Sequence, residues 1–142
     1  MELLTLEWNQ INFREYYLIL DNRNHTTKSK KIRTIPLNIK SLQILSERER
    51  NKQSNIIFTC NRLPIKQDFI SKKFKKYVIK AGLNPKLNFH SLRHTFASWL
   101  VQRGVSIYEV SKLLGHSDIK VTEIYSHLRV EDLRASVEKL NN

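Results

Sequence analysis

Four polar side chains in the second half of the chain are of the types that could act together on a phosphodiester. His90 and Arg93 lie three residues apart, a second histidine follows at His116, and Tyr125 offers a hydroxyl group. Phosphoryl transfer needs a nucleophile, fixed cations around the phosphate and groups that move protons. Tyr125 could be the nucleophile and Arg93 a cationic clamp, while the two histidines could handle protons or bind phosphate.

Each of these residues has a more ordinary explanation when it is considered alone. A His-x-x-Arg pair is common on polar helix faces, a turn histidine is usually exposed, and a tyrosine usually packs. Packing or simple exposure accounts for the other tyrosines, Tyr16, Tyr17, Tyr77 and Tyr108. Several suitable side chains in one order favour a site more strongly than any one of them does.

A helix that begins near Ser91 and ends at Gly104 is predicted to carry the histidine–arginine pair. Residues three apart on a helix share a face, with Cβ atoms about 5–6 Å apart. His90 and Arg93 are therefore expected side by side. We expect the core stripe of this helix to be Leu92, Phe96, Trp99 and Leu100.

The next segment predicts a turn that suits an anion. Ser106 and Glu109 have the spacing of a capping box, which starts a helix that ends at Gly115. His116 then occupies the turn, and Ser117 is expected to cap a helix that carries Tyr125. The N–H groups at the start of a helix favour a negatively charged group such as phosphate.

The chain before residue 90 predicts strands first and helices after. Residues 2–6 resemble the end of a helix, whereas residues 16–20 and 32–37 predict paired strands joined by a polar connection at residues 22–31. Residues 39–50 predict a helix. The predicted fold is α+β and mostly helical, with a small antiparallel hairpin or sheet near the N-terminus followed by a helical bundle.

Residues 67–81 predict an amphipathic helix closed by Gly82. Its apolar face is expected to comprise Ile70, Phe74, Tyr77, Val78 and Ala81, and its other face carries Lys72, Lys73, Lys75, Lys76 and Lys80. Such a face is often only solvated. In a chain that binds DNA, Lys72, Lys73 and Lys76 are candidates for phosphate contacts, which supply affinity but do not recognise the base sequence.

The composition points to a polyanionic partner. The chain has 25 lysines and arginines against 13 aspartates and glutamates, a formal net charge of +12 in 142 residues. Nucleic acid is the simplest such partner, and a generic RNA-binding or ribosomal protein would show the same balance. We expect no membrane span, no metal site and a cytoplasmic location, and the single cysteine, Cys60, to be at least half-buried without a chemical role.

These motifs together resemble the catalytic end of the tyrosine recombinase, or phage integrase, family. The matching stretches are residues 2–8, the hairpin at 27–37, the segment 89–94, residues 114–117 and residues 124–127. The resemblance implies that the chain cuts and rejoins double-stranded DNA, with further recombinase protomers, through a 3′-phosphotyrosyl intermediate. Neither ATP nor a metal is implied, because the phosphodiester energy is kept in that bond, and no small-molecule substrate is expected.

The resemblance also assigns roles to individual residues. Tyr125 corresponds to the nucleophile and Arg93 to the second catalytic arginine. His90 corresponds to the general base or proton shuttle, and His116 to a phosphate contact. Within the hairpin, Lys28 corresponds to the general acid that protonates the departing 5′ oxygen, with Lys30 as the second choice and otherwise a phosphate contact.

One departure from the family pattern bears on activity. The family's first catalytic arginine falls three residues before Glu2, ahead of Met1, so we expect residues 1–142 to be a single, partial catalytic domain. That domain would lack this arginine and the N-terminal DNA-embracing domain, and alone would be weak or inactive. A DNA-binding remnant without cleavage activity and a type IB topoisomerase are the alternatives. Residues 130–140 predict a last helix, packed on its own domain or on a neighbouring protomer.

Overall fold

The computed structural model describes residues 2–21, 32–128, 137–138 and 140. In this part of the chain the structure is mostly helical with small antiparallel sheets, which confirms the predicted fold class. The chain forms two compact units, Met1–Phe89 and His90–Asn142, each with its own hydrophobic core. Within the described ranges no helix is both long enough and apolar enough to cross a membrane.

The first unit contains a three-stranded antiparallel sheet with β2 in the centre. Its strands are β1 (Ile11–Asn12), β2 (Tyr17–Leu20) and β3 (Arg33–Pro36). The two strands predicted from residues 16–20 and 32–37 are therefore confirmed, as is their pairing. Pro36 is the last residue of an edge strand, where its missing N–H group costs little. The predicted connection at residues 22–31 lies outside the described residues.

Helix α1 (Ile39–Arg50) has the bounds predicted from the sequence. It begins at Asn38, whose side-chain oxygen accepts a hydrogen bond from the backbone N–H of Ser41 at 2.8 Å, so that one of the unpaired amides of the first turn is satisfied. The core of this unit comprises Leu6, Trp8, Leu45 and Ile57. Residues 2–6 do not form the expected end of an α-helix, because the structure has a 3₁₀ turn, Glu2–Thr5.

A short hairpin follows that the sequence did not predict. It consists of β4 (Thr59–Cys60) and β5 (Leu63–Pro64). Two-residue strands are too short to show an alternating pattern, and the hairpin depends on its turn, where Asn61 and Arg62 have φ angles of 50° and 65°. The expectation that Cys60 is at least half-buried is wrong, because its side chain is exposed on this hairpin.

Helix α2 (Gln67–Lys80) confirms the amphipathic helix predicted for residues 67–81. Val78 is buried on it, and Gly82 follows the helix with a φ of 66°, as the predicted C-terminal cap requires. Tyr77 was expected on the apolar face but is exposed. The inward face is therefore narrower than the apolar pattern indicated.

The second unit is helical in its described part. Its elements are α3 (Ser91–Gln102), α4 (Ile107–Leu114), α5 (Lys120–Glu123) and a 3₁₀ turn (Ser126–Leu128). Its core comprises Ala97, Val101, Val110, Leu114 and Tyr125. Most of the helix predicted for residues 130–140 lies outside the described residues.

The predicted core stripe of α3 is wrong in three of its four members. Leu92, Phe96 and Trp99 are exposed, whereas Leu100 packs against the core. The fully buried positions are the smaller Ala97 and Val101. Apolar residues occur around most of this helix, and the small side chains lie inside because they let α3 and α4 approach closely.

Candidate active site

The turn that carries His116 is set by the ends of α4. Ser106 and Glu109 form the predicted capping box at its start, and Gly115 ends it with a φ of 72°. Glycine adopts this left-handed conformation without the steric cost that a Cβ atom brings. The backbone N–H of His116 donates to the carbonyl of Ser111 at 3.1 Å. His116 therefore lies in the predicted turn, between α4 and α5.

The ring of His116 is held by a buried threonine. Nδ1 of His116 lies 2.7 Å from the hydroxyl oxygen of Thr122, whose side chain is fully buried. Sequence reasoning did not single out Thr122. The available signal was a hydroxyl side chain six residues after His116, between the predicted turn and Tyr125.

The segment between His116 and Tyr125 differs from the prediction. Ser117 was expected to cap the next helix. Instead, the side chain of Asp118 accepts a hydrogen bond from the backbone N–H of Lys120 at 2.9 Å. Helix α5 then ends at Glu123. Tyr125 therefore lies in the turn after α5 and not on the helix, because the helix is only four residues long.

Tyr125 is part of the core of the second unit. Its side chain is only 7% exposed and packs with Ala97, Val101, Val110 and Leu114. Burial raises the pKa of its phenol above the ordinary value of 10.0, and the positive charge of Arg93 opposes that shift. The hydroxyl is thus neutral near pH 7, and its attack on a phosphate would require a group that takes the proton.

Arg93 projects from the first turn of α3 toward the end of α4. Its guanidinium donates a hydrogen bond to the carbonyl of Leu114, the residue just before Gly115. This contact places a half-buried cation beside the residue that precedes the His116 turn, and its charge acts on the Tyr125 phenol. A guanidinium has five N–H donors in a planar fork that matches the geometry of phosphate oxygens, so its chemistry suits a phosphate site.

The hydroxyl of Tyr125 contacts a histidine that sequence reasoning did not name as a site residue. Nδ1 of His94 lies 2.5 Å from the Tyr125 hydroxyl oxygen. His94 is four residues after His90, so it shares the helix face of that residue. This spacing was the signal that could have found it.

His90 lies at the N-cap of α3 and is exposed. Its ring meets the ring of His94 edge to face, with 5.2 Å between centroids. The backbone carbonyl of His90 accepts a hydrogen bond from the N–H of Arg93 at 2.9 Å. The contacts of the second unit thus link His90 to Tyr125 through His94, and they bring Arg93 to the end of α4, just before the turn that carries His116.

The predicted lysines belong to the first unit. Lys28 and Lys30 lie outside the described residues, and their roles stay predictions. Lys72, Lys73 and Lys76 are exposed on α2, and Nζ of Lys73 lies 5.6 Å from the centroid of the Phe69 ring. Their long side chains can reach a polyanion, and their role as phosphate contacts stays a prediction.

Comparison with known proteins gives one consistent family. The model of the phage integrase family matches residues 1–132. The tyrosine recombinase XerA of Pyrococcus horikoshii is 35% identical over 146 residues, which cover 97% of this chain and 48% of that protein. The chain spans about half the length of the curated relatives it matches along most of its length.

Two solved structures have a similar fold. The catalytic domain of bacteriophage HP1 integrase is 29% identical, with a TM-score of 0.70 over 96% of this chain and 71% of that one. The Tn1549 transposon integrase, solved in complex with transposon right end DNA, is 24% identical, with a TM-score of 0.77 over 99% of this chain and 54% of that one.

Proposed function

Because this chain belongs to the phage integrase family of tyrosine recombinases, we propose that it carries out site-specific recombination of double-stranded DNA by cutting and rejoining strands. The oxygen of Tyr125 attacks a phosphorus of the backbone and becomes joined to the 3′ phosphate. The bond from that phosphorus to the 5′ oxygen breaks, and the 5′ oxygen takes up a proton. A 5′ hydroxyl from another strand then reverses the step and releases Tyr125.

One observation carries this proposal. The hydroxyl of a buried tyrosine lies 2.5 Å from an imidazole and feels the charge of a guanidinium within a single compact unit, and a second imidazole lies in the turn before it. A nucleophile with a fixed cation and proton-handling groups is what phosphoryl transfer requires. In this proposal Arg93 and His116 bind the phosphate and His90 takes part in proton handling. Lys28 protonates the leaving oxygen.

Charge supports binding to duplex DNA. The net charge of +12 attracts a polyanion, and the exposed lysines of α2, Lys72, Lys73 and Lys76, are proposed to contact phosphates together with Lys30. The Tn1549 integrase, with the same fold, was solved bound to DNA. Such contacts carry no base information, so they position the enzyme and do not choose the target.

Strand exchange also implies several protomers. Two duplexes that exchange both strands must be cut at four phosphates, and each chain has one Tyr125 that stays attached to the end it has cut. We therefore propose that further copies of the recombinase act together on DNA, and that the protein is found with the nucleoid.

Covalent trapping tests this function without knowledge of the target sequence. A pool of nicked duplexes with random sequence around the nick would be incubated with the 142-residue chain and with the same chain extended upstream to supply the arginine expected three residues before Glu2. The nick lets the fragment beyond the cut diffuse away, so that a covalent adduct accumulates and survives denaturation. Sequencing the trapped DNA then defines a substrate.

Two tyrosine variants provide the control. Tyr125→Phe removes only the attacking oxygen, so it should abolish the adduct while DNA binding stays unchanged. Tyr108→Phe removes the hydroxyl of an exposed tyrosine in the same unit and should leave the adduct unchanged. An adduct that persists in Tyr125→Phe, or its absence from the upstream-extended chain, would contradict the proposal.

A further inference from the structure

The contact between Tyr125 and His94 has a chemical consequence that rests on the proposed function. We propose that His94 is a catalytic residue, the general base that takes the proton of the Tyr125 hydroxyl as its oxygen attacks phosphorus. The resemblance assigns proton acceptance to His90 alone. In the structure, the imidazole in contact with the nucleophilic oxygen is that of His94.

The geometry of the pair is that of a nucleophile and its base. The distance from Nδ1 of His94 to the Tyr125 oxygen is 2.5 Å, and the two rings are tilted by 51° with 6.0 Å between centroids. A general base must lie within hydrogen-bond reach of the proton it removes. The Tyr125 ring is fixed in the core, so its hydroxyl has little freedom to choose another partner.

The surroundings of Tyr125 make a base necessary. Burial holds the pKa of the phenol above its ordinary value, although the charge of Arg93 opposes this, so a phenolate is scarce near pH 7. The oxygen must therefore lose its proton during the attack. An exposed imidazole can then pass that proton on to water, and His94 is exposed.

The proton balance follows from one tautomer. Neutral His94 with its proton on Nε2 presents a lone pair on Nδ1, which accepts the hydrogen bond from the Tyr125 hydroxyl. During attack the O–H bond breaks, a bond forms from oxygen to phosphorus, and His94 becomes an imidazolium. His90, with its ring edge to face with that of His94 at 5.2 Å, then acts on His94 and not directly on Tyr125.

Two substitutions separate proton acceptance from hydrogen bonding. His94→Gln retains an oxygen that can accept a hydrogen bond but cannot take up a proton, whereas His94→Ala retains neither ability. We expect both to slow adduct formation by about 10²–10⁴-fold, the range for loss of a general base. Added imidazole should restore at least part of the rate of His94→Ala.

The assay would use the sequence trapped from the random pool, with sulfur in place of the bridging 5′ oxygen. The sulfur leaves without a proton, so the measured rate reports the attack by Tyr125. Thr95→Ala is the helix control, because its exposed hydroxyl donates to the carbonyl of Ser91 on the same helix at 3.0 Å, and it should react normally. A wild-type rate in His94→Gln or His94→Ala would overturn the proposal.

Nitrogen-15 NMR of the imidazole rings tests the same inference without any cleavage. His94→Gln identifies the signals of His94, and Nδ1 is expected without a proton at pH 7.5. A proton on Nδ1 at that pH would overturn the proposal, because the nitrogen could not accept another. If the upstream-extended chain formed no adduct, the proposed function would fail, while this measurement would still decide whether His94 presents an acceptor to Tyr125.

Discussion

The hydroxyl oxygen of Thr122 lies 2.7 Å from Nδ1 of His116, and the threonine side chain is fully buried. A buried hydroxyl almost always has a hydrogen-bond partner. When it donates to Nδ1, the proton of the neutral imidazole sits on Nε2, the nitrogen that can then donate to a phosphate oxygen. In that arrangement Thr122 fixes both the orientation of the ring and the position of its proton.

The first prediction follows from this pair. Thr122→Val preserves the volume but removes the hydrogen bond, which is worth about 0.5–1.5 kcal/mol, so adduct formation should slow by roughly 3- to 10-fold. Thr122→Ser keeps the hydroxyl and should keep most of the rate. Urea unfolding would verify that both variants are folded. Equal rates for valine and serine would show that Thr122 only fills space.

The second prediction separates the clamp from the acid. Arg93→Ala should slow cleavage by about 10²–10³-fold, as loss of one preorganised donor to developing charge does. Lys28→Ala should also slow cleavage if Lys28 protonates the departing oxygen. The rates would be measured as covalent adduct with the nicked substrate.

A 5′-bridging sulfur distinguishes the two variants. Its leaving group needs no proton, so this substrate should largely rescue Lys28→Ala but not Arg93→Ala. Lys40→Ala alters an exposed lysine of α1 and is the control, which should need no rescue. Equal rescue of the arginine and lysine variants would leave Lys28 without its proposed role.

The third prediction concerns DNA affinity. If the chain neutralises about 5 phosphates, the logarithm of affinity for a random duplex should fall against log salt with a slope of about −4 to −5. Each change of Lys72, Lys73 or Lys76 to glutamine should make that slope shallower by about 0.9. Lys40→Gln alters an exposed lysine of α1 and is the control. If the slope were unaffected by the changes on α2, these lysines would not contact the phosphates of DNA.

The fourth prediction concerns stability at high pH. The pKa of Tyr125 is raised in the folded state, so above pH 10 the unfolded chain loses this proton more readily than the folded one. This group should therefore lower stability as the pH rises above 10, up to its folded pKa. Tyr125→Phe should show a smaller loss than the unmodified chain in urea unfolding at pH 9–11. Tyr108→Phe, at an exposed position, should behave like the unmodified chain.

The fifth prediction tests which face of α3 is inside. Val101 is fully buried, whereas Leu92 is half-exposed. Val101→Ala should lower the free energy of unfolding by about 1–3 kcal/mol because it leaves a cavity. Leu92→Ala removes a larger side chain and should cost less than about 1 kcal/mol. If Leu92→Ala lowered the free energy of unfolding more than Val101→Ala in a urea titration, the buried face of α3 would be the one predicted from the sequence.

Helix boundaries and the chemistry of the site could be predicted because they depend on local signals. The capping box at Ser106 and Glu109 and the glycine at 115 fix α4 through contacts of a few residues. The order and the types of His90, Arg93, His116 and Tyr125 were enough to indicate a phosphoryl-transfer site. Such signals need no knowledge of what packs against them.

What could not be predicted depends on neighbours that are distant in the sequence. Apolar side chains surround most of α3, so its periodicity could not show that Ala97 and Val101 lie inside. The contact of His94 with Tyr125 joins residues 31 positions apart. The spacing of His94 from His90 places both on one helix face, but only the packing of the second unit brings His94 to Tyr125.

The burial of Tyr125 means that a mutated gene could keep the fold while it loses the chemistry. Its ring fills the core, while a single oxygen atom carries the proposed reaction. A copy of this gene that acquired phenylalanine at position 125 would still fold and still bind DNA, because the ring would remain. It could occupy recombination sites without cutting them and so compete with active copies. In a genome with several such genes, the atom at the tip of this ring would decide which products recombine DNA and which only block it.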